Sequence, residues 1–143
     1  MVSLRAEEPG DVEAVREVNA RAFPTDAEAR LVDALRAAGA LVLSLVAEED
    51  GRVVGHIAFS EVTVEEGRTR WTGVGLAPMA VLPEAQRRGI GSLLVREGLE
   101  RLAREGQPFA VVLGDNENFG HYSSPRSFIA DTSPATSETI TPF

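Results

Sequence analysis

The sequence predicts a single α/β domain: a mixed, mostly antiparallel sheet flanked by helices, with elements in the order βααβββαβ and an atypical C-terminal tail. Three observations carry this expectation. Runs rich in valine and leucine, at strand length, are separated by turn signals. Apolar residues recur at helical spacing in three segments. The stretch Val74 to Leu94 joins an apolar strand, through a proline and a Gly-x-Gly loop, to an amphipathic helix. A hairpin and meander followed by a strand–helix–strand crossover gives a mixed sheet with helices on both faces.

Ser3 to Glu7 reads as the first strand, ended by Pro9-Gly10. Asp11 stands as an N-cap, and Val12, Val15, Val18 and Ala22 follow at helical spacing until Phe23-Pro24 breaks the helix. Thr25 and Glu28 are spaced as a capping box for a second helix with the apolar face Ala29, Leu31, Val32, Leu35 and Ala38, stopped by Gly39. Leu41 to Glu48 and Arg52 to Val64 form a hairpin about Glu49-Asp50-Gly51. Thr69 to Leu82 is the strand that feeds the glycine loop. Ile90 to Glu105 is the next helix, with Leu93, Leu94, Leu99 and Leu102 on its apolar side, and Pro108 to Leu113 is a buried strand.

Composition bounds the function. A chain of 143 residues supports one core. No apolar run reaches bilayer length, and Met1 to Glu8 lacks the basic flank and apolar region of a signal peptide, so a cytoplasmic protein without a membrane partner is expected. Zero cysteines exclude disulfides, thiol nucleophiles and thiolate metal sites; two isolated histidines leave no metal site expected. The net charge of -8 argues against nucleic acid as a partner. Even so, Arg87, Arg88, Arg96, Arg101 and Arg104 form a basic patch on an acidic body, suited to a polyanionic cofactor. The last three also read as the solvated face of a helix, which leaves Arg87 and Arg88 as the ligand candidates.

The loop Gln86-Arg87-Arg88-Gly89-Ile90-Gly91 precedes a helix start. Glycines let the backbone turn tightly and approach a ligand, and the unpaired N–H groups and positive dipole end of a helix attract an anion. A nucleoside-triphosphate loop requires a lysine, and the chain has none. A dinucleotide fingerprint requires a third Gly or Ala where Leu94 stands. What remains, Met79-Ala-Val-Leu-Pro-Glu-Ala-Gln-Arg-Arg-Gly-Ile-Gly-Ser-Leu-Leu94, resembles the acetyl-coenzyme A pyrophosphate loop of the GNAT N-acetyltransferase superfamily. Ala22 to Arg36 is similar to a subgroup of small bacterial predicted N-acetyltransferases.

The resemblance implies a GNAT-like sheet and an acetyl-CoA-dependent N-acetyltransferase. Its acceptor is a primary amine of a small molecule or protein, attacking the thioester directly. The loop, from Gln86, Arg87 and Arg88 through Gly89, Ile90, Gly91 and Ser92, would hold the pyrophosphate; the strand edge at Met79, Ala80 and Val81 would pair with the pantetheine arm. The two N-terminal helices would wall the acceptor side. A general base must take the amine proton, and Glu28 and Glu61 are the acids near the expected cleft. Each has a plainer reading, Glu28 as a cap and Glu61 as the exposed member of an alternating strand. His56 and His121 read as structural, and Trp71 as packing.

The resemblance covers about residues 1 to 120. In the subgroup a short helix with Tyr-Tyr would follow, whereas here Phe119 takes the place of the second tyrosine. The family's thiolate-protonating tyrosine has its counterpart in Tyr122, the only tyrosine, displaced from Phe119 by about one helical turn. The expected division is therefore a domain over 1–122 and a tail over 123–143, where twelve of twenty-one residues are Ser, Thr or Pro. Loss of closing strands would expose the edge of Pro108 to Leu113, so Ser127 to Ala130 or Thr139 to Thr141 is expected to add to the sheet, within the chain or exchanged in a homodimer. The competing reading is a catalytically impaired acyl-CoA-binding module.

Overall fold

The computed structural model describes residues 1–112, 128–131 and 140–142. The elements are β1 (Val2–Ala6), α1 (Val12–Ala22), α2 (Ala27–Ala37), β2 (Leu41–Glu49), β3 (Arg52–Glu66), β4 (Thr69–Val81), α3 (Ile90–Arg104), β5 (Ala110–Val112), β6 (Phe128–Asp131) and β7 (Ile140–Pro142). They form one sheet in sequential order. β1 to β4 are antiparallel, β5 is parallel to β4, β6 is parallel to β5, and β7 returns antiparallel. Phe128–Asp131 and Ile140–Pro142, which overlap the two tail segments named from the sequence, thus lie in the sheet, within the chain; Ser127 and Thr139 fall outside the described residues.

Alternation along β3 sorts the helices onto the two faces. A Cβ on Gly55 would meet Leu94 and Ile90 of α3, whereas the next residue, His56, bonds Asn19 of α1. Hence α3 packs one face and α1 the other, with Leu45, Ile57, Phe59, Leu76, Leu94 and Leu102 fully buried between the layers. Not every residue on the expected apolar faces is covered. Leu31 and Leu93 are 42% exposed each, because the stripes that touch the sheet are narrower than the apolar patterns. Trp71, expected as packing, is 40% exposed at the β3–β4 end of the sheet.

Two helix starts differ from the expectation. At α2 the N-cap is Asp26, and Thr25 Oγ1 instead accepts from the Ala27 amide at 3.3 Å, so the Thr25–Glu28 capping box does not form. One residue of offset moves Glu28 from N3 to N2, where it cannot close the box. At α1, Asp11 occupies the N-cap without a side-chain cap bond. Its carboxylate turns back to the Glu8 amide and to Arg5, whose guanidinium holds it below the usual carboxylate range.

One irregularity matters for the site. Ile57 pairs with Met79 and Phe59 with Leu76, so β4 carries one residue more than β3 across this interval, a bulge at Ala77–Pro78. Among the described residues, β5 pairs with β4 along Val74 to Leu76. From the bulge to Val81, β4 therefore runs on past its described pairing with β5.

Candidate functional site

The loop between β4 and α3 is built by three local devices. Pro83–Ala85 makes a single 3-10 turn after Leu82, whose amide still bonds Val54 O at 2.9 Å. The Gln86 amide then reaches back, donating from Nε2 to Val81 O at 3.0 Å and closing the loop on the strand it left. Finally Arg87 (φ 64°) and Gly89 (φ 81°) adopt left-handed backbone, which turns the chain into α3. Gly89 is the N-cap, and neither a side-chain cap nor an acidic residue occupies the first turn. The amides at Ile90, Gly91 and Ser92 thus lack intrahelical acceptors and keep the positive end of the helix available to an anion.

The two glycines meet different surroundings within the chain. A Cβ on Gly89 would meet no atom of the chain within 4 Å, and its positive φ calls for glycine. A Cβ on Gly91 would lie 2.7 Å from Met79 Sδ and 3.1 Å from its Cε. That glycine lets α3 sit against β4.

These parts enclose a cavity of about 600 Å³ lined by Ala22, Phe23, Met79, Ala80, Val81, Ala85, Gln86, Arg87, Gly89, Ile90, Gly91 and Ser92. Every loop and strand candidate from the sequence except Arg88 lines this space. Arg88 turns outward and gives both terminal nitrogens to Glu49, which holds the Glu49 carboxyl below its ordinary range. The end of α1, at Ala22 and Phe23, supplies the facing wall; the Phe23-Pro24 break was the sequence signal for where that helix stops.

The candidate bases separate. Glu28 is half-buried at the start of α2, outside the cavity lining, and its Oε2 is buried with no hydrogen-bond partner among the described residues. Glu61 is exposed on β3 opposite Val74 and is absent from the cavity lining. Tyr122, with His121 and Phe119, lies outside the described residues.

A second polar cluster runs under α1, from Asn19 toward the start of the helix. His56 is fully buried. Its Nδ1 accepts from Asn19 Nδ2 at 3.0 Å, since that amide also donates to Val15 O; its Nε2 is 2.8 Å from Ser44 Oγ, which donates to Glu7 Oε1 at 2.6 Å. These roles assign His56 as the neutral Nε2–H tautomer. Arg36 Nη2 approaches Glu7 Oε2 at 2.8 Å as a charge contact without hydrogen-bond alignment. Glu7, Arg36 and Ser44 line a second cavity of about 550 Å³, which also touches Val12, the first residue of α1, some 15 Å of helix from Ala22.

Burial, with the Arg36 charge second, pushes His56 down to about 3 from its ordinary 6.5. Between those values the unfolded chain binds a proton that the folded chain refuses, so stability is complete above about pH 6.5 and falls as pH drops. Wild type is expected to lose stability from pH 6.5 to 5, above most carboxylate titration, and His56→Gln to show a flatter slope by up to about one proton. Thermal denaturation across that range checks it; equal slopes refute it.

The family model for acetyltransferase (GNAT) matches residues 12–120. The chain belongs to the GNAT family. It is 42% identical over 113 residues to the uncharacterized N-acetyltransferase YhbS of Escherichia coli K12, covering 78% of this chain and 66% of that protein. The uncharacterized N-acetyltransferase YjhQ of the same organism is 40% identical over 106 residues, 73% of this chain and 59% of that one. The chain thus spans just under two thirds of the length of these relatives. Among solved structures, a GNAT family acetyltransferase from Brucella melitensis in complex with acetyl-CoA superposes with a TM-score of 0.74 at 46% identity, over 82% of this chain and 79% of that one. Escherichia coli YhbS in complex with CoA gives 0.74 at 41%, over 82% and 64%. The GNAT assignment agrees with the element order βααβββαβ and with the described fold through β5.

Proposed function

We propose that this GNAT chain is an acetyl-CoA-dependent N-acetyltransferase that passes acetyl to a primary amine of a small molecule or protein by direct attack on the thioester. One observation carries the reading: a single cavity joins the uncapped start of α3 to the part of β4 that continues past β5. This geometry fits an anion linked to an extended amide chain. The amides from Gly89 to Ser92 and the Arg87 side chain would hold the pyrophosphate, while Met79 to Val81 would pair with the pantetheine amides and offer an N–H to the thioester carbonyl. When bound, acetyl-CoA supplies an activated acyl group and a thiolate leaving group.

In this reading Ala22 and Phe23 form the acceptor-side wall. Glu28 is the preferred base, because its buried, unpartnered Oε2 has acceptor capacity left for an ammonium proton; Glu61, exposed, would act through water. Tyr122 would protonate the departing thiolate. The net charge of -8 favours a cationic amine through steering. The working domain is 1–122, with 123–143 as a tail that adds two strands to its sheet, in a cytoplasmic protein whose partners are acetyl-CoA and the amine. Phe119, standing where the family places a tyrosine, favours the second reading, an acyl-CoA-binding module without turnover.

Thiol release from acetyl-CoA with a panel of amines, alongside calorimetry, decides between them. Transfer is expected, and Tyr122→Phe is expected to lower kcat about 10²-fold with acetyl-CoA affinity nearly unchanged. Binding without release toward any amine selects the module. No binding removes both.

A further inference from the structure

The cofactor loop is held from outside by one turn. Glu49 ends β2 and Arg52 begins β3, with only Asp50 and Gly51 between them. Arg88 of the loop bonds Glu49, at 2.9 Å through Nη1 and again through Nη2. Glu84 of the loop accepts from Arg52 at 3.1 Å and, in a two-pronged pair at 3.0 Å each, from Arg21 in the last turn of α1. The pairing is crossed: the turn's acid takes the loop's base and the turn's base takes the loop's acid. Glu84 and Arg88 bracket Ala85, Gln86 and Arg87, all three of which line the cavity. Glu49, Arg52 and Glu84 do not line it.

We propose that Glu49 and Arg52 of the β2–β3 turn, with Arg21, clasp the loop through Arg88 and Glu84, making Glu49 and Glu84 positioning residues for acetyl-CoA binding. This inference rests on the acetyl-CoA reading above. The loop needs the help, because Arg87 is a non-glycine residue at φ 64° and Gly89 follows at 81°. A non-glycine residue in left-handed backbone is strained and persists where its surroundings hold it. Fixing such a loop before the ligand arrives removes an ordering cost from binding. The Arg21 arm reaches α1, so the clasp also ties the loop to the opposite wall of the cavity at Ala22 and Phe23.

Charge gives the test its sign. Both carboxylates stand beside a site for a polyanion, so if they acted only through their field, neutralising either would tighten binding. If they act by position, neutralising either weakens it.

Calorimetric titration with acetyl-CoA is therefore compared for wild type, Glu49→Gln, Glu84→Gln and the double variant. The control is Glu65→Gln, which removes the same charge from a carboxylate paired with Arg70 across the β3–β4 turn. Each loop variant is expected to raise Kd about twofold to fivefold, the double variant more, and the control to leave it unchanged. Melting temperatures measured in parallel separate positioning from general destabilisation, since a purely structural role lowers the melting temperature at constant Kd. Unchanged or tighter binding in both Glu49→Gln and Glu84→Gln overturns the clasp while leaving acetyl-CoA binding standing. A wild type that binds no acetyl-CoA overturns the functional reading and the clasp with it.

Discussion

Replacing Gly91 with valine is expected to weaken acetyl-CoA binding about tenfold to hundredfold, the equivalent of the ~1–3 kcal/mol that overpacking costs. The position has helical backbone, so no conformational strain enters; the effect is steric. Its new Cβ would begin 2.7 Å from Met79 Sδ, and the two γ methyls add volume where α3 meets β4. Either the Met79 side chain, which lines the cavity, is displaced, or the start of α3 lifts and takes its amides out of line. Gly89→Ala provides the contrast. There the Cβ meets open space but the φ of 81° is unfavourable, so stability falls by about 1–2 kcal/mol with a smaller loss of affinity. Calorimetry and melting curves on both variants read the two effects apart, and equal affinity for Gly91→Val and wild type would remove the loop from the binding site.

The second large effect is on stability, at Gly98 in the middle of α3. In an exposed helix, exchanging glycine for alanine stabilises by about 1 kcal/mol. Here the sign reverses, because a Cβ would stand 2.4 Å from Cε2 and 2.6 Å from Cζ of Phe59, whose ring is fully buried. Gly98→Ala should therefore lower the melting temperature, and Gly98→Val, at about 3 kcal/mol or more, should lower it by roughly 10 °C. Adding Phe59→Leu should recover part of the loss in Gly98→Ala. A raised melting temperature for Gly98→Ala would show that α3 does not pack where the structure places it.

These two glycines show how far the sequence could be read. The strand, proline, loop and helix of Val74 to Leu94 were legible because each signal is local: a missing donor at Pro83, glycines before an apolar period, no competing cap. Spacing also grouped Met79 to Val81 with Gln86 to Ser92. It could not say why each glycine is there, since positive φ and close packing leave the same letter. Nor could it foresee that Arg88 faces Glu49 at a separation of 39 residues, or that Arg21 faces Glu84 at 63. Partners so far apart leave no periodic trace. The Thr25–Glu28 spacing misled because Asp26, a residue type equally favoured at N-caps, stands one residue later, and the helix starts from it without a side-chain cap bond. Leu31 and Leu93 show the same limit, as apolar pattern fixes a helix but not the width of the stripe its neighbours cover.

The bulge in β4 acts as a phase shift in a count of two. Leu76, opposite Phe59, and Met79, opposite Ile57, both point to the α3 face although they stand three positions apart, an odd offset that a regular strand would send to opposite sides. The strand below the bulge and the strand above it therefore keep different parity with the chain. Parity is indifferent to which side chains occupy Ala77 and Pro78 and sensitive only to how many residues stand there. Removing one would match β4 to β3 residue for residue, so that a regular strand carried Leu76 and Met79 to the same face without a bulge. Removing both would make Leu76 and Met79 neighbours, turning Met79 and Val81 away from Gly91 and bringing Ala80, now opposite His56, to the loop side. In this segment length, more than composition, is what the cavity constrains.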